Sequence, residues 1–480
     1  MMSTNRKYFV FILISLSASV FVAGCKLQNG TVRDVKNNVP SAYTDNSTDT
    51  TNTGEINWHN YFDDPYLIAL IDTALVNNQE LNIVMQEIAI RKNEIRAKKG
   101  EYLPQINLAA GSALEKPGEY TRNGAVEQQL NVKEDQRFPD PLGDFNIGAV
   151  ASWEVDIWKK LRNSKAAAEQ RYLSSIEGKN FMVTQLVSEI ASSYYELLAL
   201  DNALSIVQQN IDIQSNALEM VKLQKESTKV SQLAVTRFEA QMLNTINMQY
   251  AIKQSITMQE NYINFLTGRY PTPIQRSSDT FMDINIQMAS TGVPAQLLAN
   301  RPDIRSAEYD LGAAKLDVKS AKASFYPSLG ISAGIGYNAF NPAFLIQPQS
   351  LMYNVAGDLL APLINRNALM ANFGNANARQ MQAVVKYEQT LLQAYIDVVN
   401  QMAMIDNYSN SFNTKFQEVE KLKESVTIAT SLFNSARADY TEVLFTQRDA
   451  LDAKLELVEA KKMLILGKVN IYKALGGGWR

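Results

Sequence analysis

Residues 183–221 read VTQLVSEIASSYYELLALDNALSIVQQNIDIQSNALEMV. Apolar side chains recur there at every seventh position: Val183, Ile190, Leu197, Leu204, Ile211 and Leu218. A companion row three residues on, Leu186, Ser193, Leu200, Val207, Gln214 and Val221, is mostly apolar but twice polar. About 208 residues later the period returns in Leu391, Val398, Ile405, Phe412, Val419, Val426 and Phe433. Neither run contains proline, and glycine is almost absent. A seven-residue stripe sustained this long predicts helices that supercoil left-handedly against their neighbours. A helix from about Leu161 to Glu226 would be roughly 100 Å long at the α-helical rise. No ordinary globular domain needs such a length, so something is spanned.

Composition removes most alternatives. The chain has 480 residues and a formal net charge of −3, which is no nucleic-acid footprint. Its single cysteine, Cys25, forbids an internal disulfide or a cysteine-based metal cluster. Its single histidine, His59, reads as a loop residue and leaves no triad or zinc constellation. We expect no enzyme, no cofactor and no bound metal.

The N-terminus carries Arg6 and Lys7, an apolar run from Tyr8 to Val22, then Ala23-Gly24-Cys25. Basic, apolar and small-residue regions in that order make residues 1–24 a signal peptide. Val22-Ala23-Gly24-Cys25 resembles the bacterial lipobox, in which the cysteine is acylated and becomes the first mature residue. The alternative is a plain cleaved signal with a chance cysteine. Acyl chains such as palmitate on Cys25 would anchor the chain to a bilayer, each buried methylene contributing about 0.8 kcal/mol. Residues 25–60, rich in Asn, Thr, Ser and Asp, are then expected to be an unpacked tether.

From residue 61 the chain reads as the same module twice, 61–268 and 301–480, joined by a connector at 269–300. Asp64-Pro65 starts a helix to about Lys99, with Asp64 as cap and Pro65 in the first turn. At Pro104 the period changes from helical to alternating. Ile106, Leu108 and Ala110 mark one strand, Ile147, Ala149, Ala151 and Trp153 its partner, a hairpin over about 105–153. The stretch 117–143 between them reads as an exposed loop. The long helix follows Asp156-Ile157-Trp158, turns at Glu226–Ser231, and returns to Gly268.

The second module starts its helix at Asn300-Arg301-Pro302-Asp303 and its hairpin, about 328–359, after Pro327. There Leu329, Ile331, Ala333, Ile335 and Tyr337 alternate with Ser328, Gly330, Ser332, Gly334 and Gly336. An apolar face backed by a face of glycine and serine is a membrane-barrel pattern. A second long helix spans about 367–436 and its return helix runs to Leu475. A lone four-stranded sheet cannot cross a bilayer, because its edges would leave backbone groups unpaired in hydrocarbon, whereas several copies can close. Two shorter helices can stack into one column beside each long one.

The modules align at Tyr102-Leu103-Pro104 with Phe325-Tyr326-Pro327, and at Thr236-Arg237-Phe238-Glu239-Ala240 with Thr446-Gln447-Arg448-Asp449-Ala450. With Leu298-Ala299-Asn300-Arg301-Pro302-Asp303-Ile304 and the terminal Ala474-Leu475-Gly476-Gly477-Gly478-Trp479, the chain resembles the TolC-like outer-membrane efflux family, in its lipoprotein (NodT/OprM-type) branch. The resemblance covers almost all of the mature chain. It implies a homotrimer, mainly α, in which each subunit gives four strands to a twelve-stranded outer-membrane barrel and four helical columns to a periplasmic tube. It implies an exit duct of a tripartite efflux system, passively conducting drugs or other small molecules. The expected partners are a periplasmic adaptor and an inner-membrane pump of the RND type. By position the closed tip lies at Glu226–Ser231 and Ala436–Glu442, with Asp439, Arg437 and Tyr440 as constriction residues. The family commonly has glycine where Ala436 stands. Trp153, Trp158 and Tyr337 belong either to an interfacial aromatic belt or to the barrel–tube junction. The other readings are a duct for secreted peptides or proteins, and a lipid-anchored coiled-coil scaffold without a pore.

Overall fold

A computed structural model of the chain describes residues 40–43, 51–133, 136–284, 290–435 and 437–480. Its elements in order are α1 (Trp58–Tyr61), α2 (Pro65–Asn77), α3 (Gln79–Glu101), β1 (Gln105–Glu115), α4 (Arg122–Gln129), β2 (Asn131–Lys133), β3 (Gln136–Arg137), β4 (Leu142–Val155), α5 (Lys160–Glu226) and α6 (Gln232–Leu266). The second module adds α7 (Leu297–Asn300), α8 (Pro302–Ala323), β5 (Ser328–Ala339), β6 (Leu351–Leu360), α9 (Asn367–Asn434) and α10 (Tyr440–Ala474).

The two long helices have 67 and 68 residues, each about 100 Å from end to end. Helix α5 packs against α3 and α6 on one side and against α8 and α10 on the other, and α9 packs against α8 and α10. The helices therefore form four columns in the order α3/α6, α5, α8/α10, α9. Each long helix is one column, and each pair of shorter helices is another.

The heptad rows fill the seams between columns. Val183, Ile190, Leu197, Leu218, Leu186, Val207 and Val221 are all buried. Ser193 and Gln214, the two polar positions of the companion row, are buried as well. Gln214 donates from Nε2 to Asn210 Oδ1 at 2.8 Å one turn earlier, so a polar step interrupts the apolar seam. Above it lies the main core, around Tyr194, Leu197, Ile190 and Tyr472. Below it, Leu218, Val221, Val235, Phe238, Val443 and Leu444 form a separate apolar cluster at the tip.

The halves meet at a mid-height belt built twice on one plan. Gly268 (φ 69°) follows α6, and a Cβ on it would lie 2.4 Å from the Asn77 carbonyl oxygen. Gly476 (φ 85°) follows α10, and a Cβ there would lie 2.5 Å from the Asn300 carbonyl oxygen. In each module a left-handed glycine lets a return helix end directly against the helix start of the same half.

Four expectations need correction. The helix expected from Pro65 to Lys99 breaks at Asn78, whose side chain serves two helices. Its Oδ1 accepts from Leu81 N–H at 2.8 Å as the cap of α3, and its Nδ2 donates to the Leu266 carbonyl at 2.9 Å. The tether expected over 25–60 is packed at several of its described residues. Tyr43 is buried with its ring stacked on Tyr395 at 5.5 Å, Asn52 pairs with Thr291, and Thr53 N–H donates to the Ser290 carbonyl at 3.0 Å. His59 lies in α1 rather than a loop, stacked on Trp58 at 3.5 Å. Fourth, the stretch 117–143 carries α4 and the small β2–β3 pair instead of a plain loop.

Candidate functional site

The sheet has the order β1-β4-β5-β6 with every pair antiparallel. Its register sorts the side chains by chemistry. Leu108, Ala149, Ile335 and Tyr353 stand in one cross-strand row, and Ile106, Ala151, Ala333 and Val355 in the next. The other face carries Asn107, Val150, Gly334 and Asn354, then Gln105, Ser152, Ser332 and Ala356. Leu108 is 90% exposed and Tyr353 79%, so the apolar face is uncovered by this chain. Water would penalise that exposure at about 25 cal/mol per Å², whereas lipid would not. One apolar face and one small, polar face is what a strand wall between lipid and a water-filled lumen requires.

Two tryptophans tie this sheet to the helices. Trp153 Nε1–H donates to the Tyr102 carbonyl at 3.0 Å, just before β1, and Trp158 Nε1–H donates to the Pro327 carbonyl at 2.8 Å, just before β5. The Trp158 ring also lies 4.8 Å from Tyr326. Of the two roles open for these residues, both tryptophans are in junction packing, while Tyr337 sits at the far end of β5 opposite Leu351. Asp156 fixes the start of α5, accepting from Leu161 N–H at 3.1 Å and Arg162 N–H at 2.9 Å. This is why α5 begins at Lys160 and not at Asp156.

At the opposite end, the three candidate gate residues have different surroundings. Tyr440 packs onto the apolar tip cluster. Asp439 precedes α10 but its exposed side chain caps nothing. Arg437 is exposed too, its backbone N–H donating to the Leu432 carbonyl at 2.9 Å. Among the described residues, the side chains of Asp439 and Arg437 make no ion pair with each other. Cys25 and Ala436 lie outside the described residues.

Sequence reasoning quoted Arg301 only within a helix start and a motif, and it missed Arg276 and what both belt arginines hold. Arg276 bridges Asp201 (2.5 Å) and Glu260 (2.6 Å), joining the connector to α5 and α6. Arg301, beside α8, holds Asp303, Asp397 and the Ala474 carbonyl. A buried arginine among acids leaves no periodicity for a pattern search to find.

The model of the outer membrane efflux protein family matches residues 70–269 and 293–477. The chain belongs to that family. Curated relatives include CusC, a cation efflux system protein of Escherichia coli O6:H1, 26% identical over 426 residues and covering 88% of each chain. SrpC, a solvent efflux pump outer membrane protein of Pseudomonas putida, is 26% identical over 423 residues, 87% of each chain. SilC of Salmonella typhimurium, described as a probable outer membrane lipoprotein, is 25% identical over 422 residues, 88% of each. Among solved structures, the open state of the Neisseria gonorrhoeae MtrE outer membrane channel matches with a TM-score of 0.82 at 22% identity, covering 94% of this chain and 98% of that one. A trimeric barrel plus tube is the known fold of this family, and its members are channels and efflux ducts, not enzymes. The protein is thus an outer-membrane exit duct for efflux with a periplasmic tube, and it works with other pump components. A scaffold without a pore is ruled out by this membership together with the two-faced sheet.

Proposed function

We propose that three copies of the chain close into one duct, anchored by acyl chains on Cys25, that passes small molecules outward from an inner-membrane pump. The observation that carries this reading is the match between sheet and helix layer. Strands β1, β4, β5 and β6 stand in the same order as the columns α3/α6, α5, α8/α10 and α9 to which each is joined. Both layers are therefore open on the same two sides, at β1 with α3/α6 and at β6 with α9. Ile83 on α3 and Leu243 and Tyr250 on α6 are exposed, as are Met370, Leu392 and Phe416 on α9, the two columns at these open sides. Joining one open side to the other side of a neighbour is a head-to-tail contact that generates a ring. It also removes every free edge from the hydrocarbon.

A periplasmic adaptor and an RND-type pump complete the path. Cargo of low molecular weight, rather than secreted peptides, is supported by relatives described as solvent and cation efflux proteins. Asp439, Arg437 and Tyr440 make the periplasmic gate in this reading. Three copies of an unpaired acid around an axis would favour cations at the constriction.

The test is the native mass of the detergent-purified protein followed by single-channel recording in a planar bilayer. A trimer giving small, cation-preferring currents supports the reading. A monomer, or a protein that inserts without conductance, refutes it.

A further inference from the structure

A cavity of about 350 Å³ opens at the belt, between the start of α2, helix α5 and the connector. Its walls include Tyr61, Asp63, Asp64, Tyr66, Tyr195 and Thr280. The two acids differ in what they already do. Asp64 is fully engaged: Oδ1 accepts from the Tyr66 and Leu67 N–H groups at 2.8 and 3.3 Å, and Oδ2 accepts from the Tyr194 hydroxyl at 2.8 Å. Asp63 is exposed at the mouth, and among the described residues its carboxylate has neither a hydrogen bond nor an ion pair.

Tyr195 is the second, independent observation. The residue is only 3% exposed and lines the cavity, its hydroxyl has no hydrogen-bond partner among the described residues, and unlike the Tyr43 hydroxyl that oxygen is not sealed from solvent. Burial raises its phenol out of the ordinary range, and the negative charges of Asp64 and Asp63 add to the rise, which places the hydroxyl in their field. In a wall residue this buried, a hydroxyl that keeps contact with solvent but has no protein partner offers a polar contact to a ligand atom in the cavity. The remaining wall is aromatic: Tyr61 is held in place by stacking on Tyr472 at 4.1 Å and by donating to the Lys468 carbonyl at 2.6 Å, and Tyr66 is half-exposed at the rim.

We propose that this cavity binds a small organic cation, an ammonium or guanidinium group, with Asp63 as counter-ion, the tyrosine rings as cation–π surface and the Tyr195 hydroxyl as a polar contact. An unpaired carboxylate beside aromatic faces is the chemistry that selects such a group over a neutral isostere. The volume falls at the small end of ligand pockets, which limits the guest to a short chain. All of the walls belong to one protomer, so the proposal stands or falls independently of the trimeric duct.

The experiment is equilibrium dialysis of the full-length, detergent-purified protein against ethylguanidinium, with ethylurea as its neutral isostere. Saturable binding of ethylguanidinium is expected, with ethylurea binding at least tenfold more weakly. Asp63→Asn should weaken ethylguanidinium roughly fivefold, the size of a partly exposed ion pair. Tyr195→Phe should weaken it roughly threefold while leaving the melting temperature unchanged, because the hydroxyl makes no hydrogen bond to the described residues. A parallel titration with N-acetyl-arginine amide identifies the source. Tighter binding than ethylguanidinium points to an arginine side chain of a protein partner, weaker binding to a free small cation, and either upholds the cation. Equal binding of ethylurea, an unchanged Kd in Asp63→Asn, or no saturable binding to the wild type overturns the proposal.

Discussion

Replacing Arg301 by methionine isolates what the belt's buried charge contributes. The arginine side chain is 7% exposed and donates to both Asp303 oxygens at 3.0 and 2.7 Å, to Asp397 at 3.2 Å and to the Ala474 carbonyl at 3.1 Å. It thereby joins the start of α8, the middle of α9 and the end of α10. Methionine keeps the apolar stem but strands the acids. Removing one partner of a buried pair typically costs about 3–5 kcal/mol. Two features place this case at the low end. Asp397 already accepts from Gln393 at 2.8 Å, and Asp303 sits in the first turn of α8, where the helix dipole favours an anion. At about 2.1 cal/mol/K of unfolding entropy per residue, the 480-residue chain has roughly 1 kcal/mol/K, so a loss of ~3 kcal/mol lowers Tm by about 3 °C. The assay is thermal unfolding in detergent at fixed protein concentration, since the melting of an oligomer depends on it. In an Asp303→Asn background the same substitution should cost about a third as much, because the carboxylate that Arg301 holds through two hydrogen bonds is gone and only Asp397, already bonded to Gln393, is stranded. A Tm within 1 °C of wild type, or an undiminished loss in that background, would refute the reasoning.

Burial alone would push the Asp156 carboxyl up, but hydrogen bonds from Arg162 and Leu161 hold it below its ordinary value of 3.8. A depressed folded-state value contributes stability that is present above the unfolded value and lost as pH falls through the folded one. Wild-type Tm should therefore drop more steeply than that of Asp156→Asn between about pH 5 and pH 2, with the variant roughly 1 kcal/mol less stable at pH 7. Parallel melting curves across that range would remove Asp156 as the cause. Gly268→Ala places a Cβ 2.4 Å from the Asn77 carbonyl oxygen at a φ of 69°, and should cost about 2–3 kcal/mol, read as a lower melting temperature. At the tip, Asp439→Ala with Arg437→Ala should raise the ion leak of single channels; an unchanged conductance in the double variant removes these residues from the gate.

The long helices and the strands were legible because each is written as a period, and a period tolerates exceptions. Ser193 and Gln214 broke the companion row by composition yet are buried in the seam, since position on the helix sets burial, and Gln214 adapts by bonding to Asn210 within its own turn. What stayed hidden depends on single residues. Nothing before the fold says that Asn78 both caps α3 and closes the end of α6, or that Tyr43, in a stretch polar enough to read as tether, finds the Tyr395 ring. The duplication sharpens the contrast. Gly268 and Gly476 were visible as helix ends, but their common task, admitting the Asn77 and Asn300 carbonyls, appears only when both helix starts are in place. The gate is harder still. Within one copy Asp439 and Arg437 face solvent while Tyr440 joins the apolar tip cluster. Whether an exposed acid constricts a lumen is decided by its distance to its own symmetry mates. That distance is a property of the closed ring and not of the chain's local pattern, so the tip has to be read by conductance and the belt by melting.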